Sequence, residues 1–317
     1  MCVTCGCSDT DGVTLSMPGD GEAREHVHAD GTRHTHTHGF AAAPLPTHAH
    51  DAVAGLRNFR PHGPTHDHAH ESAQSVPGRD AHTIQLETQI LGKNQLIAER
   101  NRSWLAGRGI LALNLVSSPG SGKTMLLERT LTDLKTELKI GVIEGDQATS
   151  NDAERIRATG VRAVQINTGT GCHLEADMLE RALGMLKPEA ASLLLIENVG
   201  NLVCPALFDL GERAKVVIFS VTEGEDKPLK YPHMFGAAQV LLLSKIDLVP
   251  HLRYDVERAV ANALTVNPQL KVFRVSSYTG HGLAEWYDWL KRELAACGNV
   301  APFQPDSARP SAAAMAS

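Results

Sequence analysis

The chain has 317 residues and a formal net charge of −6, room for roughly two domains or one large domain with tails. Hydrophobic residues make up 42% and aromatics only 4%, which suits an aliphatic core of parallel strands covered by helices, and the acidic balance argues against a nucleic-acid binder. No apolar run reaches the about 20 residues of a membrane-spanning helix, and the opening MCVTCGCSDTDG lacks the basic and apolar segments of a secretory signal, so a cytoplasmic protein with no membrane association is expected.

Residues 1–80 are built from Gly, Pro, Ala, Thr, Asp and His, with no lysine and little aliphatic periodicity. Such a segment cannot bury enough apolar surface to offset its ordering entropy, so it is predicted to be disordered. It opens with Cys2, Cys5 and Cys7, three of the six cysteines. Thiols stay reduced in the cytoplasm, so clustering there suggests a metal more than a disulfide. Three thiolates and a nearby amine can wrap one ion, planar geometry favouring Ni²⁺ and tetrahedral geometry Zn²⁺. The alternatives are surplus thiols or a redox Cys-x-x-Cys pair, for which no thioredoxin-like context is visible. Eleven of the 16 histidines then fall between His26 and His70, in HVH, HTHTH, HAH and HDHAH. Alternating imidazoles on a flexible chain would hold several ions weakly, as a store.

Residues 81–298 read as one folded domain with a leading helix. In the helix, over 83–106, Leu86, Ile90, Ile97 and Trp104 form the expected apolar stripe. Gly107 and Gly109 then break it. Beyond them, strand-like runs at 111–116, 140–144, 162–166, 192–197, 215–221, 239–244 and 271–276 alternate with helix-like stretches, including 123–138, 174–186, 251–266 and 282–296. That alternation predicts an α/β fold with a doubly wound, mostly parallel sheet. Ligands of such sheets bind at the carboxyl ends of the strands. Residues 299–317, rich in Pro, Ala and Ser, are read as a disordered tail.

The run Ser117-Ser118-Pro119-Gly120-Ser121-Gly122-Lys123-Thr124 follows the first of these strands and opens a helix. It departs from G-x-x-x-x-G-K-[ST] only in its leading Ser117. Gly120, Ser121 and Gly122 would bring backbone amides to phosphate oxygens, aided by the helix N-terminus. Lys123 would reach the outer phosphates and Thr124 would ligate Mg²⁺. Two acids follow at strand ends. Glu197 closes SLLLIE, where the Mg²⁺-side acid of such folds sits; Asp146 would hold Mg²⁺ water or orient the attacking water, and sequence leaves both roles open. Asp152 is a weaker candidate, read as a helix cap.

Ser244-Lys245-Ile246-Asp247 follows the sixth strand and resembles the NKxD element of GTPases, with Ser in place of Asn. Asp247 could accept from both N1–H and the exocyclic amine of guanine, a donor pair adenine lacks, while Lys245 would lie along the base. Ser276, after the seventh strand, fits a loop closing over the base. Cys172-His173 follows the third strand, and Cys204 lies seven residues beyond Glu197. Thiolate and imidazole suit Zn²⁺ or Ni²⁺; a buried, inert cysteine is the alternative, and the position of both segments at strand ends on the nucleotide side favours the metal. An adjacent Cys–His pair rarely completes a four-ligand site in one chain, so a site shared by two subunits is envisaged.

Taken together, MCVTCGC, LVSSPGSGKT, EGDQATSNDAERI, NTGTGCHLEADM, ENVGNLVCPA and LLSKIDL resemble the HypB family of hydrogenase nickel-incorporation GTPases, over residues 1–7 and most of 84–297. The histidine tracts resemble the nickel-storing members of that family. The resemblance implies a P-loop NTPase, slow GTP hydrolysis and a nucleotide-dependent homodimer. It also implies Ni²⁺ delivery to the large subunit of nickel–iron hydrogenase with a HypA-like nickel/zinc accessory protein. Carried over residue by residue, Cys2, Cys5 and Cys7 match the high-affinity nickel site, and Cys172, His173 and Cys204 the metal site of the GTPase domain. Lys123, Thr124, Asp146, Glu197, Lys245 and Asp247 match nucleotide and Mg²⁺ positions, with Lys123, Asp146 and Glu197 as the catalytic set. A urease-type nickel GTPase is the nearest rival. Against it stand Gly171-Cys172-His173 in place of Cys-Pro-His and the presence of Asn-Leu-Val-Cys-Pro. A non-enzymatic nickel store is disfavoured by the intact Lys123-Thr124 and Lys245-x-Asp247 elements.

Overall fold

The computed structural model describes residues 14–16, 24–27, 33–36, 81–147 and 151–298. Cys2, Cys5, Cys7, most of the histidine tracts and residues 299–317 lie outside them. Within the leading region, β1 (Thr14–Ser16) pairs antiparallel with the strand at residues 162–167, and half-buried Leu15 packs into the core. In a separate unit, β2 (Arg24–Val27) and β3 (Arg33–His36) form an antiparallel ladder that sets His26 opposite His34.

Helix α1 spans Ala81–Gly107. Its buried stripe is rotated from the expected one. Asn94, Ala98, Asn101 and Leu105 face inward, Ile90 and Ile97 are half-buried, and Trp104 is 39% exposed beneath the Arg108 guanidinium. Two asparagines fix that rotation. Asn94 Nδ2 donates to Asp209 O at 2.7 Å, and Asn101 Nδ2 donates to Ala176 O at 2.8 Å and Leu210 O at 3.0 Å. An apolar-only pattern cannot see polar anchors of this kind.

Seven parallel strands follow. They are β4 (Leu111–Ser117), β5 (Ile140–Asp146), β6 (Arg162–Asn167), β7 (Leu193–Glu197), β8 (Ala214–Ser220), β9 (Val240–Ser244) and β10 (Lys271–Arg274). The sheet order is β1-β6-β5-β7-β4-β8-β9-β10, with β1 the antiparallel edge. Every strand-like run of the domain is present, because buried parallel strands are continuous apolar runs. Side chains alternate across the sheet. Leu111, Leu113 and Leu115 pack under α2 (Lys123–Leu134) and α9 (Leu283–Gly298), whereas Ala112 faces α4 (Ala176–Leu186). Aromatic residues enter this largely aliphatic core at two places, the stacked Trp286 and Trp289 with Phe273, and the edge-to-face pair Phe219 and Phe235.

The remaining elements are short: α3 (Asn151–Ala158), α5 (Cys204–Leu207), α6 (Lys227–Lys230), α7 (Pro232–Ala237) and a 3-10 turn over Ile246–His251. Helix α8 covers Val256–Val266 and begins later than the expected 251, because the Asp255 side chain accepts from Arg258 N at 3.0 Å and caps it there. Asp152 lies inside the first turn of α3.

Candidate functional site

The glycine-rich loop joins β4 to α2. Gly120 and Gly122 have φ of 75° and 92°, a region that favours glycine, and Lys123 begins the helix. Ser117 stands where the motif has its first glycine. It still belongs to β4, paired with Ile218, and has no positive φ, so no glycine is required there. Together with the ends of β5 and β7, the loop encloses a cavity of about 480 Å³.

Lys123, Thr124 and Glu197 come together there. Lys123 Nζ and Thr124 Oγ1 each lie 2.7 Å from Glu197 Oε1. Glu197 is buried, and its Oε2 has no hydrogen-bond partner among the described residues. A buried carboxylate oxygen without a donor, beside a hydroxyl, is a donor set that fits a hard divalent cation such as Mg²⁺. Asp146 ends β5 on the neighbouring edge of the cavity, and its Oδ1 accepts from Gln147 N at 2.7 Å.

The sequence reading missed Glu144. It is the Cα partner of Glu197 in the β5–β7 register, is buried, and lines the same cavity. Burial, then the charges of Glu197 and Asp146, push its pKa up to about 8. The signal was present: IGVIE ends in an acid as SLLLIE does. Arg155 was missed too. It lines the cavity, and its guanidinium is held by Glu128 at 2.6 Å.

On the other side of the glycine-rich loop, Ser244 Oγ donates to Ser121 O at 2.8 Å and Lys245 Nζ donates to Gly120 O at 2.7 Å. Ser244 thus clamps the loop with a hydroxyl, at the position where the NKxD pattern carries an amide. Lys245 has a left-handed φ of 59°, and Asp247 lies in the first turn of the 3-10 segment that follows. Ser276 is fully buried, and its hydroxyl accepts from Thr279 N at 3.1 Å, within its own turn.

Cys172, His173 and Cys204 converge in one chain, with their candidate ligand atoms all within 4.8 Å of one another. Cys172 Sγ is 3.0 Å from Cys204 Sγ and 3.6 Å from His173 Nδ1. The His173 ring is buried, 3.9 Å from the Phe208 ring, with Nε2 3.6 Å from Glu175 Oε1. Two sulfurs and one imidazole, shielded by an aromatic wall, fit a borderline ion such as Ni²⁺ or Zn²⁺. Phe208 and Glu175 carry no sequence signal that separates them from ordinary core and helix-start residues. The tripod stands on the loops after β6 and β7, and Gln147 Nε2, next to Asp146, donates to Gly171 O at 3.1 Å.

Among the described residues, no helix is long and apolar enough to cross a membrane. Residues 111–274 match the family model for the CobW/HypB/UreG nucleotide-binding domain. The chain is 51% identical over 297 residues to the hydrogenase maturation factor HypB of Azotobacter vinelandii, covering 92% of both chains. It is 59% identical over 221 residues to that of Rhizobium leguminosarum bv. viciae, covering 69% of this chain and 74% of the relative. Among solved structures, HypB from Helicobacter pylori in complex with nickel aligns with a TM-score of 0.60 and 40% identity, over 64% of this chain and 96% of that one.

Proposed function

The chain belongs to the HypB family and carries its nucleotide-binding P-loop domain, and from that premise we propose that it is a GTP-hydrolysing nickel metallochaperone of hydrogenase maturation. The observation that carries this reading is the shared footing of two donor sets. Glu197 and Cys204 flank the one segment after β7, and Gln147, next to Asp146 at the end of β5, donates to Gly171 O in the loop that carries Cys172 and His173.

In this reading the amides of Gly120 to Lys123 receive the β-phosphate and Lys123 exchanges its Glu197 partner for the outer phosphates. Thr124, Asp146 and Glu197 would hold Mg²⁺, which when bound would supply neutralisation of phosphate charge. Asp146 or Glu144 orients water, and Asp247 selects guanine. Turnover is slow in this reading: Arg155, the arginine that lines the cavity, is paired with Glu128, and no further arginine is assigned to the transferred phosphoryl group. Ni²⁺ is cargo on the tripod. Cys2, Cys5, Cys7 and the histidine tracts capture and store it, with Zn²⁺ as the competing ion. A nucleotide-dependent homodimer supplies further ligands, and a HypA-like accessory protein and the hydrogenase large subunit receive the metal.

The test uses the full chain in three forms: unaltered, Cys2, Cys5 and Cys7 all changed to Ser, and Cys172→Ala. Triple replacement removes the tightest nickel site and leaves GTP turnover intact, whereas Cys172→Ala removes a nucleotide-sensitive site. Absence of GTP turnover in the unaltered chain sinks the enzymatic reading and leaves a metal store.

A further inference from the structure

A buried polar chain passes beneath the metal tripod. Asn198 follows Glu197 and is 1% exposed. Its Oδ1 accepts from Leu174 N at 3.1 Å and from Val199 N at 2.9 Å, and its Nδ2 donates to Asn114 Oδ1 at 3.1 Å. Asn114 is a fully buried amide in the middle of β4, among leucines and valine. Its own Nδ2 donates to Glu212 Oε1 at 3.1 Å, and Glu212 pairs with Lys215 at 2.8 Å. Lys215 Nζ donates to Phe208 O at 3.1 Å, and the Phe208 ring lies on His173. The chain of contacts therefore leaves the metal loop at Leu174 and returns to it at His173.

Packing alone does not call for such a network. Two buried amides and a buried ion pair are costly unless every member is satisfied. An apolar set of equal volume would fill the space at less risk. What the network adds is a fixed register between loops. Leu174 is held twice. Its amide is bound to the residue after Glu197, and its side chain fills the notch at Gly145, the residue before Asp146, where a Cβ would meet Leu174 Cδ2 at 2.7 Å. A shift of either carboxylate-bearing strand end must displace Leu174, and His173 is its direct neighbour in the chain.

We propose that Asn198, anchored by Asn114, is the positioning residue that transmits the state of the nucleotide site to the metal tripod. It deepens the functional reading above and rests on it. It touches neither ligand; it acts through Leu174 and Val199.

The test starts from the full chain with Cys2, Cys5 and Cys7 replaced by Ser, so that thiolate-to-nickel charge-transfer absorption reports the inner site. Ni²⁺ affinity is measured with and without a non-hydrolysable GTP analogue and Mg²⁺, in that parent and with Asn198→Ala added. The parent should show a nucleotide-dependent change of about tenfold. Asn198→Ala should reduce it to within about twofold while keeping nucleotide affinity measured without nickel, which a general loss of structure would not do. A parent without nucleotide dependence overturns the functional reading and this inference with it. A folded Asn198→Ala variant that keeps the parent's dependence overturns this inference alone. Amide exchange in the unmutated chain gives an answer even if the variant fails to fold. The Leu174 and Val199 amides should gain protection together when nucleotide binds without nickel, and a Leu174 amide indifferent to nucleotide contradicts the proposal.

Discussion

Lys123 Nζ lies 2.7 Å from Glu197 Oε1, and the two side chains are almost wholly buried. The pair closes the cavity between the glycine-rich loop and β7. Lys123→Ala leaves a buried carboxylate without its cation, a change that typically costs about 3–5 kcal/mol. Urea unfolding should register that loss together with loss of nucleotide binding. Adding Glu197→Gln should recover part of the stability and none of the binding.

Glu144 gives the molecule a pH dependence of known sign. Its pKa rises from 4.5 to about 8 on folding, so the folded state holds a proton that the unfolded state has released. Its contribution is fully present below pH 4.5 and is lost as pH climbs through 8. Stability from this group should therefore fall across that window, by at most about 1.4 kcal/mol per pH unit. Glu144→Gln should flatten the slope and be the more stable protein at alkaline pH. Equal slopes in urea unfolding of the two proteins across this pH range would show that Glu144 does not set the pH dependence.

Gly145→Ala tests the seat of the metal loop. The new Cβ would meet three atoms of the Leu174 side chain at 2.7–2.9 Å. Overpacking of this kind costs about 1–3 kcal/mol. The substitution should lower the melting temperature and weaken nickel binding at the inner site. A melting shift with unchanged nickel affinity would separate Leu174 from the tripod.

Cys204→Ala should remove thiolate-to-nickel absorption from the inner site and leave GTP affinity in the absence of nickel unchanged. The sulfur is 3.0 Å from Cys172 Sγ and far less exposed than its neighbour Val203. Unchanged absorption, in the chain lacking Cys2, Cys5 and Cys7, would show that Cys204 is only a buried packing residue.

The sheet was legible because each parallel strand is an uninterrupted apolar run, and the glycine-rich loop because its lysine and glycines sit where a strand meets a helix. Glu197 was legible as an acid closing an apolar run and Asp146 as an acid just past one, whereas Glu144, which closes IGVIE in the same way, was not singled out. Polar residues inside elements were not. Asn114 reads as an interruption in LALNLV and Asn94 and Asn101 as the outer face of α1, yet all three are buried and hydrogen-bonded to segments far away in the chain. Their partners exist only in the folded state, so no local pattern reports them. The same holds for Phe208 against His173. Short helices such as α5 and α7 are too brief for periodicity to mark.

Linkage between two binding equilibria is reciprocal, so a nucleotide site that alters the metal tripod must itself respond to metal. The most direct measurement is titration of a fluorescent, non-hydrolysable GTP analogue into the full chain with Mg²⁺, with and without saturating Ni²⁺, and again in Cys172→Ala. Ni²⁺ should shift nucleotide affinity by about fivefold or more, and Cys172→Ala should abolish the shift. Identical nucleotide affinity with and without Ni²⁺ in the unaltered chain would contradict it.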